Sequence, residues 1–110
     1  MKYHFSKKEL ATGTAQQEGP YYEFLKHPAL SSGIYVLKVG EPDLQKPHTE
    51  DEIYYVLQGQ SRMVIGNQVL TVAQGDLIYV PAYQEHRFYD ITEDLKLLVF
   101  FSSAPISNSL

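Results

Sequence analysis

The chain contains a series of short runs of β-branched and aromatic residues, each bounded by glycine, proline or small polar residues. Residues 34–39 read IYVLKV between Gly33 and Gly40, which is typical of a strand that is buried on both faces. In the last run, residues 95–101, side chains at odd positions share one face and those at even positions share the other. The runs that predict strands are 21–25, 34–39, 52–58, 61–65, 69–73, 77–80, 86–91 and 95–101.

Turn-forming residues separate several of these strands. The loop Gly66-Asn67-Gln68 begins with two residues that tolerate positive φ, and it predicts a hairpin between the strands on either side. Gly59 is expected to allow a chain reversal after residues 52–58, and the polar residues 92–94 are expected to form another turn. The sequence therefore predicts seven or eight short strands.

One short helix at most is expected, near the N-terminus. Ser6 and Glu9 have the spacing of a capping box, and Gly13 provides a stop. Since no helical segment of about 10 to 15 residues separates the strands, parallel crossovers are disfavoured and an all-β jelly-roll barrel, or double-stranded β-helix, is predicted. We expect one domain, with an N-terminal segment (1–33) that packs on a barrel (34–104), followed by a frayed tail (105–110).

Composition and charge narrow the function. The net charge is −4 and no basic cluster exceeds Lys7-Lys8, so nucleic acid is not an expected partner. No apolar run approaches the roughly 18 to 20 residues that span a bilayer, and the first residues lack the apolar core of a signal peptide. We therefore expect a cytoplasmic protein with no membrane partner. The absence of cysteine excludes thiol catalysis and thiolate ligands.

Two stretches carry residues at characteristic spacings, and they resemble the two motifs of the cupins. Those motifs read glycine, five residues, His-x-His, three or four residues, Glu, six residues, glycine, and then glycine, five residues, Pro-x-Gly, two residues, His, three residues, Asn. The resemblance implies a single-domain cupin of the conserved-barrel type. The matching residues here are Gly40, His48, Glu52 and Gly59 in the first stretch and Gly75, Pro81 and His86 in the second.

Three positions depart from the motifs. Lys46 replaces the first histidine, Tyr83 replaces the second-motif glycine, and Asp90 stands where asparagine is usual. Tyr83 affects the turn geometry, because tyrosine adopts a positive φ only at a steric cost. Lys46 removes one of the four ligands that the resemblance implies. We expect this lysine to point outward or to the rim; an inward lysine would repel a cation but could pair with an acid or a substrate carboxylate.

The remaining ligand candidates are His48, Glu52 and His86. Two imidazoles and a carboxylate suit one divalent transition metal, Fe, Mn, Ni or Zn, and leave coordination positions open. Alternation along an extended segment would put Glu50 on the same face as a possible fourth ligand, unless a turn at 49–51 rotates it away. The alternative is a solvated acidic turn on a barrel that has lost its metal.

Aromatic residues near these ligands are candidates for a pocket wall. Tyr54, Tyr83 and Phe88 are expected to bind substrate, with Tyr79 and Phe100 as further candidates. Glu50 and Tyr83 are the candidate catalytic groups, followed by Lys46.

Two functions remain open at this point. One is a metal-dependent enzyme that acts on a small organic molecule, for which the resemblance implies dioxygenase, isomerase or decarboxylase chemistry. The other is a non-catalytic cupin that binds or senses a small ligand, with or without metal. A homodimer is also predicted, because Tyr21, Tyr22 and Phe24 are suited to covering a neighbour's sheet edge.

Overall fold

The computed structural model describes residues 1–103, and in this part of the chain it contains one helix and six strands. The elements are α1 (Lys7–Gln16), β1 (Tyr21–Lys26), β2 (Leu30–Leu37), β3 (Glu52–Ile65), β4 (Gln68–Ala73), β5 (Leu77–Val80) and β6 (His86–Ser102). The strands form one antiparallel sheet of order β1-β2-β6-β3-β4, and β5 pairs with the first residues of β3. The predicted all-β fold with one short N-terminal helix is confirmed. The tail predicted at 105–110 lies outside the described residues.

The helix begins with the predicted capping box. Ser6 Oγ accepts a hydrogen bond from the Glu9 amide at 3.1 Å, and Glu9 Oε1 accepts one from the Ser6 amide at 3.4 Å. The stop predicted at Gly13 was wrong, because α1 continues to Gln16. A side chain at position 13 would overlap the ring of Tyr22, so this glycine lets the helix pack against β1.

The two longest strands were each predicted as two shorter ones. β3 passes through Gly59 without reversing, and Gly59 adopts a φ of +103° where the strand lies against the backbone of Asp94 and Leu95. β6 likewise passes through residues 92–94, and Gln60 pairs with Glu93 in this irregular region. The polar and glycine residues mark shifts in the β3–β6 register rather than turns. Within residues 1–103 the sheet therefore has six strands, not seven or eight.

The remaining predicted strands lie close to their expected positions. The β3–β4 hairpin is confirmed, with Gly66 and Asn67 as the turn and Gln68 already in β4. β2 begins at Leu30, so the expected boundary between N-terminal segment and barrel falls inside this strand. β1 pairs with β2, which makes the N-terminal segment part of the sheet.

Alternating side chains of β3 and β6 form the centre of the hydrophobic core. Leu95, Leu97 and Val99 are buried, as the odd-position pattern predicts, while Lys96 and Leu98 are half-buried on the other face. The carboxyl group of Glu52 and the imidazole of His86 are buried as well. Within the described residues, no helix is long and apolar enough to cross a membrane. The other buried core residues are Tyr35, Leu37, Tyr54, Val56, Met63, Val72, Ile78, Val80, Phe88 and Ile91.

Candidate metal centre

Three separate parts of the chain deliver the candidate ligands. Glu52 is the first residue of β3 and His86 is the first residue of β6, while His48 lies in the connection between β2 and β3. The loop between β5 and β6 brings His48 close to His86, since the Tyr83 amide in this loop donates to the His48 carbonyl at 2.7 Å. Nearby, the Ala82 amide donates to Asp51 Oδ1 at 2.8 Å. These bonds place the connection beside the start of β6.

The predicted ligand atoms form one cluster. His48, Glu52 and His86 each offer a nitrogen or oxygen, and these atoms all lie within 4.8 Å of one another. Glu52 Oε1 and His86 Nε2 are 3.2 Å apart. Two neighbouring ligands at about 2.1 Å from a metal are themselves roughly 3.0 to 3.4 Å apart in octahedral or tetrahedral geometry. The observed separation therefore fits two ligands of one ion.

The orientation of the His86 ring is fixed from behind. Its Nδ1 lies 2.8 Å from the Gln84 carbonyl, which can only accept a hydrogen bond, so Nδ1 carries a proton. In the neutral ring the lone pair then belongs to Nε2, the atom that faces Glu52. Burial lowers the pKa of His86, but the contact with Glu52 and the bond to Gln84 outweigh it and raise the pKa above its ordinary value.

One oxygen of the buried Glu52 carboxylate faces the His86 ring. This Oε1 makes no hydrogen bond of good geometry within the described residues, and it lies 3.2 Å from His86 Nε2. A buried carboxylate oxygen without a donor is costly unless a cation or a protonated neighbour balances it. The donor set of two imidazoles and a carboxylate therefore fits a divalent metal.

His48 occupies a more open position than the other two. It is half-buried, and its ring meets that of Phe101 edge-on at 4.9 Å. The connection that carries it is not a strand but contains a bend at residues 49 and 50. Lys46, two residues earlier, is exposed, as the outward or rim-facing interpretation expects.

Two further residues of the site, Asp43 and Gln45, were not predicted from the sequence. Gln45 Oε1 lies 3.2 Å from His86 Nε2 and accepts a hydrogen bond from the Tyr54 hydroxyl at 2.8 Å. The other end of the same amide donates to Asp43 Oδ2 at 2.7 Å, which fixes its orientation. No motif spacing falls on Gln45, and in a fully extended segment position 46, not 45, would share a face with His48.

A cavity of about 440 Å³ opens beside the cluster. Of the predicted substrate-binding residues, Tyr54 lines it; Phe88 is buried and packs edge-on against Tyr54 at 5.1 Å. Tyr83 is 67% exposed with a φ of +65°, and it does not line this cavity. Glu50, the other catalytic candidate, does line it. The full lining is Pro20, Tyr21, Glu23, Ser31, Tyr35, Gln45, His48, Glu50, Glu52, Tyr54, Val99 and Phe101.

The cavity is aromatic and acidic. Tyrosine and phenylalanine rings form much of its wall, and the described residues that line it include three glutamates and neither lysine nor arginine. Burial, with the negative charge of Glu52 nearby, raises the pKa of Tyr54, so its phenol stays protonated and serves as a hydrogen-bond donor.

Comparisons with known proteins agree with this architecture. The family model described as "Cupin domain" matches residues 26–101. An uncharacterized protein from Streptomyces coelicolor is 42% identical over 89% of this chain and 93% of its own length. The structure of KdgF from Halomonas sp. has a TM-score of 0.69 at 20% identity, covering 86% of this chain and 89% of that one. A putative mannose-6-phosphate isomerase from Ralstonia eutropha JMP134 has a TM-score of 0.67 at 19% identity, covering 76% and 83%. At these identities the two structures show a common fold.

Proposed function

The chain belongs to the cupin domain family, and from this premise we propose that it binds one divalent transition metal through His48, Glu52 and His86 and acts on a small organic molecule in the adjoining cavity. One observation carries the proposal. The buried Glu52 Oε1 lies 3.2 Å from His86 Nε2, and the Gln84 carbonyl holds the other ring nitrogen, Nδ1, at 2.8 Å so that Nε2 faces the cluster.

The metal, as Fe, Mn, Ni or Zn, would supply Lewis-acid or oxygen-activating chemistry of the dioxygenase, isomerase or decarboxylase type. The chain itself supplies the surroundings. Glu50 is half-buried in the cavity lining, so of the two catalytic candidates it is the better placed to move a proton. Tyr54 is held as a neutral donor, and the aromatic wall excludes water from a bound molecule.

The charge of the cavity favours a neutral or cationic substrate. Glu23 and Glu50 line it along with the ligand Glu52, and the described lining offers no basic side chain to pair with a phosphate or carboxylate. The Ralstonia eutropha protein is described as a putative isomerase of a sugar phosphate, but the described lining of this cavity contains no positive side chain that would bind a phosphate. We therefore expect an aromatic amine and an aromatic alcohol each to raise the midpoint of thermal unfolding of the protein more than an aromatic carboxylate of the same size does.

Metal content is the decisive measurement. Protein purified without an affinity tag is loaded with each metal in turn, freed of excess by gel filtration, and assayed by elemental analysis. We expect about one ion per chain in the wild type and a near-complete loss in His48→Ala and His86→Ala. His27→Ala is the matched control, because His27 is exposed and is not part of the cluster. Equally low metal in all four proteins would contradict the proposal.

A non-catalytic ligand-binding cupin is the second candidate. The Tyr54 hydroxyl, the Gln45 amide and the His86 ring already contact one another at 2.8 to 3.2 Å, so much of the buried polar surface is satisfied by the chain alone. This function predicts that a small molecule raises the thermal midpoint equally with and without a chelator, and that no product forms.

A further inference from the structure

We infer that Gln45 is a fourth metal ligand, through its amide oxygen, and that it takes the role left open by the lysine at position 46; this rests on the metal site proposed above. Positions 45 and 46 are adjacent, but their side chains differ in exposure. Lys46 is exposed, whereas Gln45 is half-buried and lines the cavity. The missing histidine is therefore replaced from the preceding residue.

The geometry around His86 Nε2 supports this assignment. Gln45 Oε1 and Glu52 Oε1 both lie 3.2 Å from that nitrogen. Each separation is the one expected for two neighbouring ligands at about 2.1 Å from a common ion. The amide oxygen thus stands in the same relation to the imidazole as the carboxylate does.

The orientation of the amide is set by its other end. Gln45 Nε2 donates to Asp43 Oδ2 at 2.7 Å, so Oε1 is the atom turned toward the cluster. Asp43 is held in turn, because its Oδ1 accepts from the Tyr35 hydroxyl at 2.7 Å and its Oδ2 from the Phe88 amide at 2.9 Å. Such a carboxylate behind a ligand is the usual means of fixing it.

The Gln45 amide oxygen also has a lone pair that the Tyr54 hydroxyl does not use. A carbonyl oxygen offers two lone pairs, and the Tyr54 hydroxyl uses one of them at 2.8 Å. The second is available to an ion. Amide oxygens coordinate the harder divalent ions, so the resulting set of two nitrogens and two oxygens favours Mn, Fe, Ni or Zn over copper(I).

The test compares metal binding by the wild type, Gln45→Leu, Gln45→Glu and Lys46→Ala, using Co(II) as the probe. Dissociation constants come from competition with a chromophoric chelator, and the visible absorption of bound Co(II) reports its coordination. Gln45→Leu should bind at least about tenfold more weakly and show an altered Co(II) spectrum. Lys46→Ala should match the wild type in both, since its side chain is exposed.

Gln45→Glu separates ligation from a merely structural role. It places a second carboxylate 2.7 Å from the position of Asp43, so the metal-free variant should be less stable than the wild type. If the new oxygen faces the ion, Co(II) should raise the thermal midpoint of this variant by more than it raises that of the wild type.

The outcomes are distinguishable. Wild-type protein that takes up no Co(II), Mn(II) or Zn(II) overturns the proposed function, and the inference with it. Wild-type binding with an unchanged Co(II) spectrum in Gln45→Leu, together with no larger thermal shift in Gln45→Glu, overturns the inference and leaves the three-ligand site standing.

Discussion

At the residue scale, the site is held together by one carboxylate, that of Asp43, which does not line the cavity. Asp43 accepts hydrogen bonds from the Tyr35 hydroxyl, from the backbone and side chain of Gln45, and from the Phe88 amide. Its carboxylate thus ties the β2–β3 connection to β2 and to β6. Loss of this group frees several half-buried donors at once, which is more costly than the loss of one hydrogen bond.

Asp43→Ala should therefore lower the free energy of unfolding by about 2 to 4 kcal/mol. Urea denaturation of the metal-free protein measures it. Glu41→Ala is the matched control, because Glu41 is an exposed acid in the same connection that accepts a single bond, from the Lys38 amide at 2.9 Å. Equal effects of the two substitutions would show that the Asp43 network does not stabilise the fold.

Tyr54 tests whether a buried polar neighbour of the cluster is a ligand or only a donor. Tyr54→Phe keeps the edge-on packing against Phe88 and removes the hydroxyl that donates to Gln45. We expect a loss of about 1 kcal/mol in stability and wild-type metal content. Denaturation and elemental analysis on the same preparation give both values. Metal loss as complete as in His86→Ala would instead make Tyr54 a ligand.

The sequence predicted part of this site for a clear physical reason. Glu52 and His86 are the first residues of β3 and β6, and His48 lies at a motif spacing four residues before β3; the structure brings all three together. Gln45 could not be found in that way, because no motif spacing falls on it and it lies in a non-strand connection where period two does not hold. The orientation of the Gln45 side chain is set by Asp43, whose hydrogen bonds join residues far apart in the chain.

At the element scale, one glycine lies in a turn and another lies inside a strand, and the sequence alone does not distinguish the two. Gly66 is in a turn, as predicted, but Gly59 has a similar setting in sequence and lies inside a 14-residue strand. The difference comes from the partner strand. β6 approaches Gly59 so closely that an added Cβ would lie 2.9 Å from Leu95 Cα and overlap the Asp94 carbonyl. Pairing between β3 and β6 therefore continues past the glycine, with shifted register.

Gly59→Ala should be strongly destabilising. The substitution combines a positive φ, costing about 1 to 3 kcal/mol, with a backbone overlap, so we expect a total of about 3 kcal/mol or more. Two controls separate the causes. Gly75→Ala has a φ of +91° and open space, so it should cost only about 1 to 2 kcal/mol. Gly19→Ala has neither problem and should be near neutral. Thermal or urea unfolding measures all three, and equal losses at Gly59 and Gly75 would exclude the backbone overlap as a cause.

At the scale of the whole molecule, the aromatic residues of the N-terminal segment are used within the chain. Tyr21 meets Tyr35 and Phe101 edge-on at 6.4 and 6.3 Å, and Phe24 packs on Phe5 at 5.3 Å. These rings are therefore packed within the chain, whereas the homodimer prediction assumed that they cover the sheet edge of a second copy. The homodimer stays a prediction, and the structure suggests a different surface for it.

That surface, called here the outer strip, lies on the side of the sheet away from the core. Ile53 pairs with Tyr79 and Tyr55 pairs with Leu77 across β3 and β5, and all four are exposed. On the other side of β3 the same positions pair with β6 residues that are half-buried. The outer strip consists of Ile53, Tyr55, Leu77, Tyr79, Leu98 and Phe100.

We propose that the occupant of the outer strip is a second copy of this chain. An isologous contact requires a patch that is complementary to itself, and a strip of aliphatic and aromatic side chains brings no like charges together when paired with its own copy. Leu77→Lys should then weaken dimerisation at least tenfold, because two lysines would be buried at the interface. Val69→Lys is the matched control, since Val69 on β4 is 61% exposed against 64% for Leu77 and lies outside the strip. Sedimentation velocity over a range of concentrations measures both. A wild type that stays monomeric throughout contradicts the homodimer, and equal weakening by the two variants places the contact elsewhere.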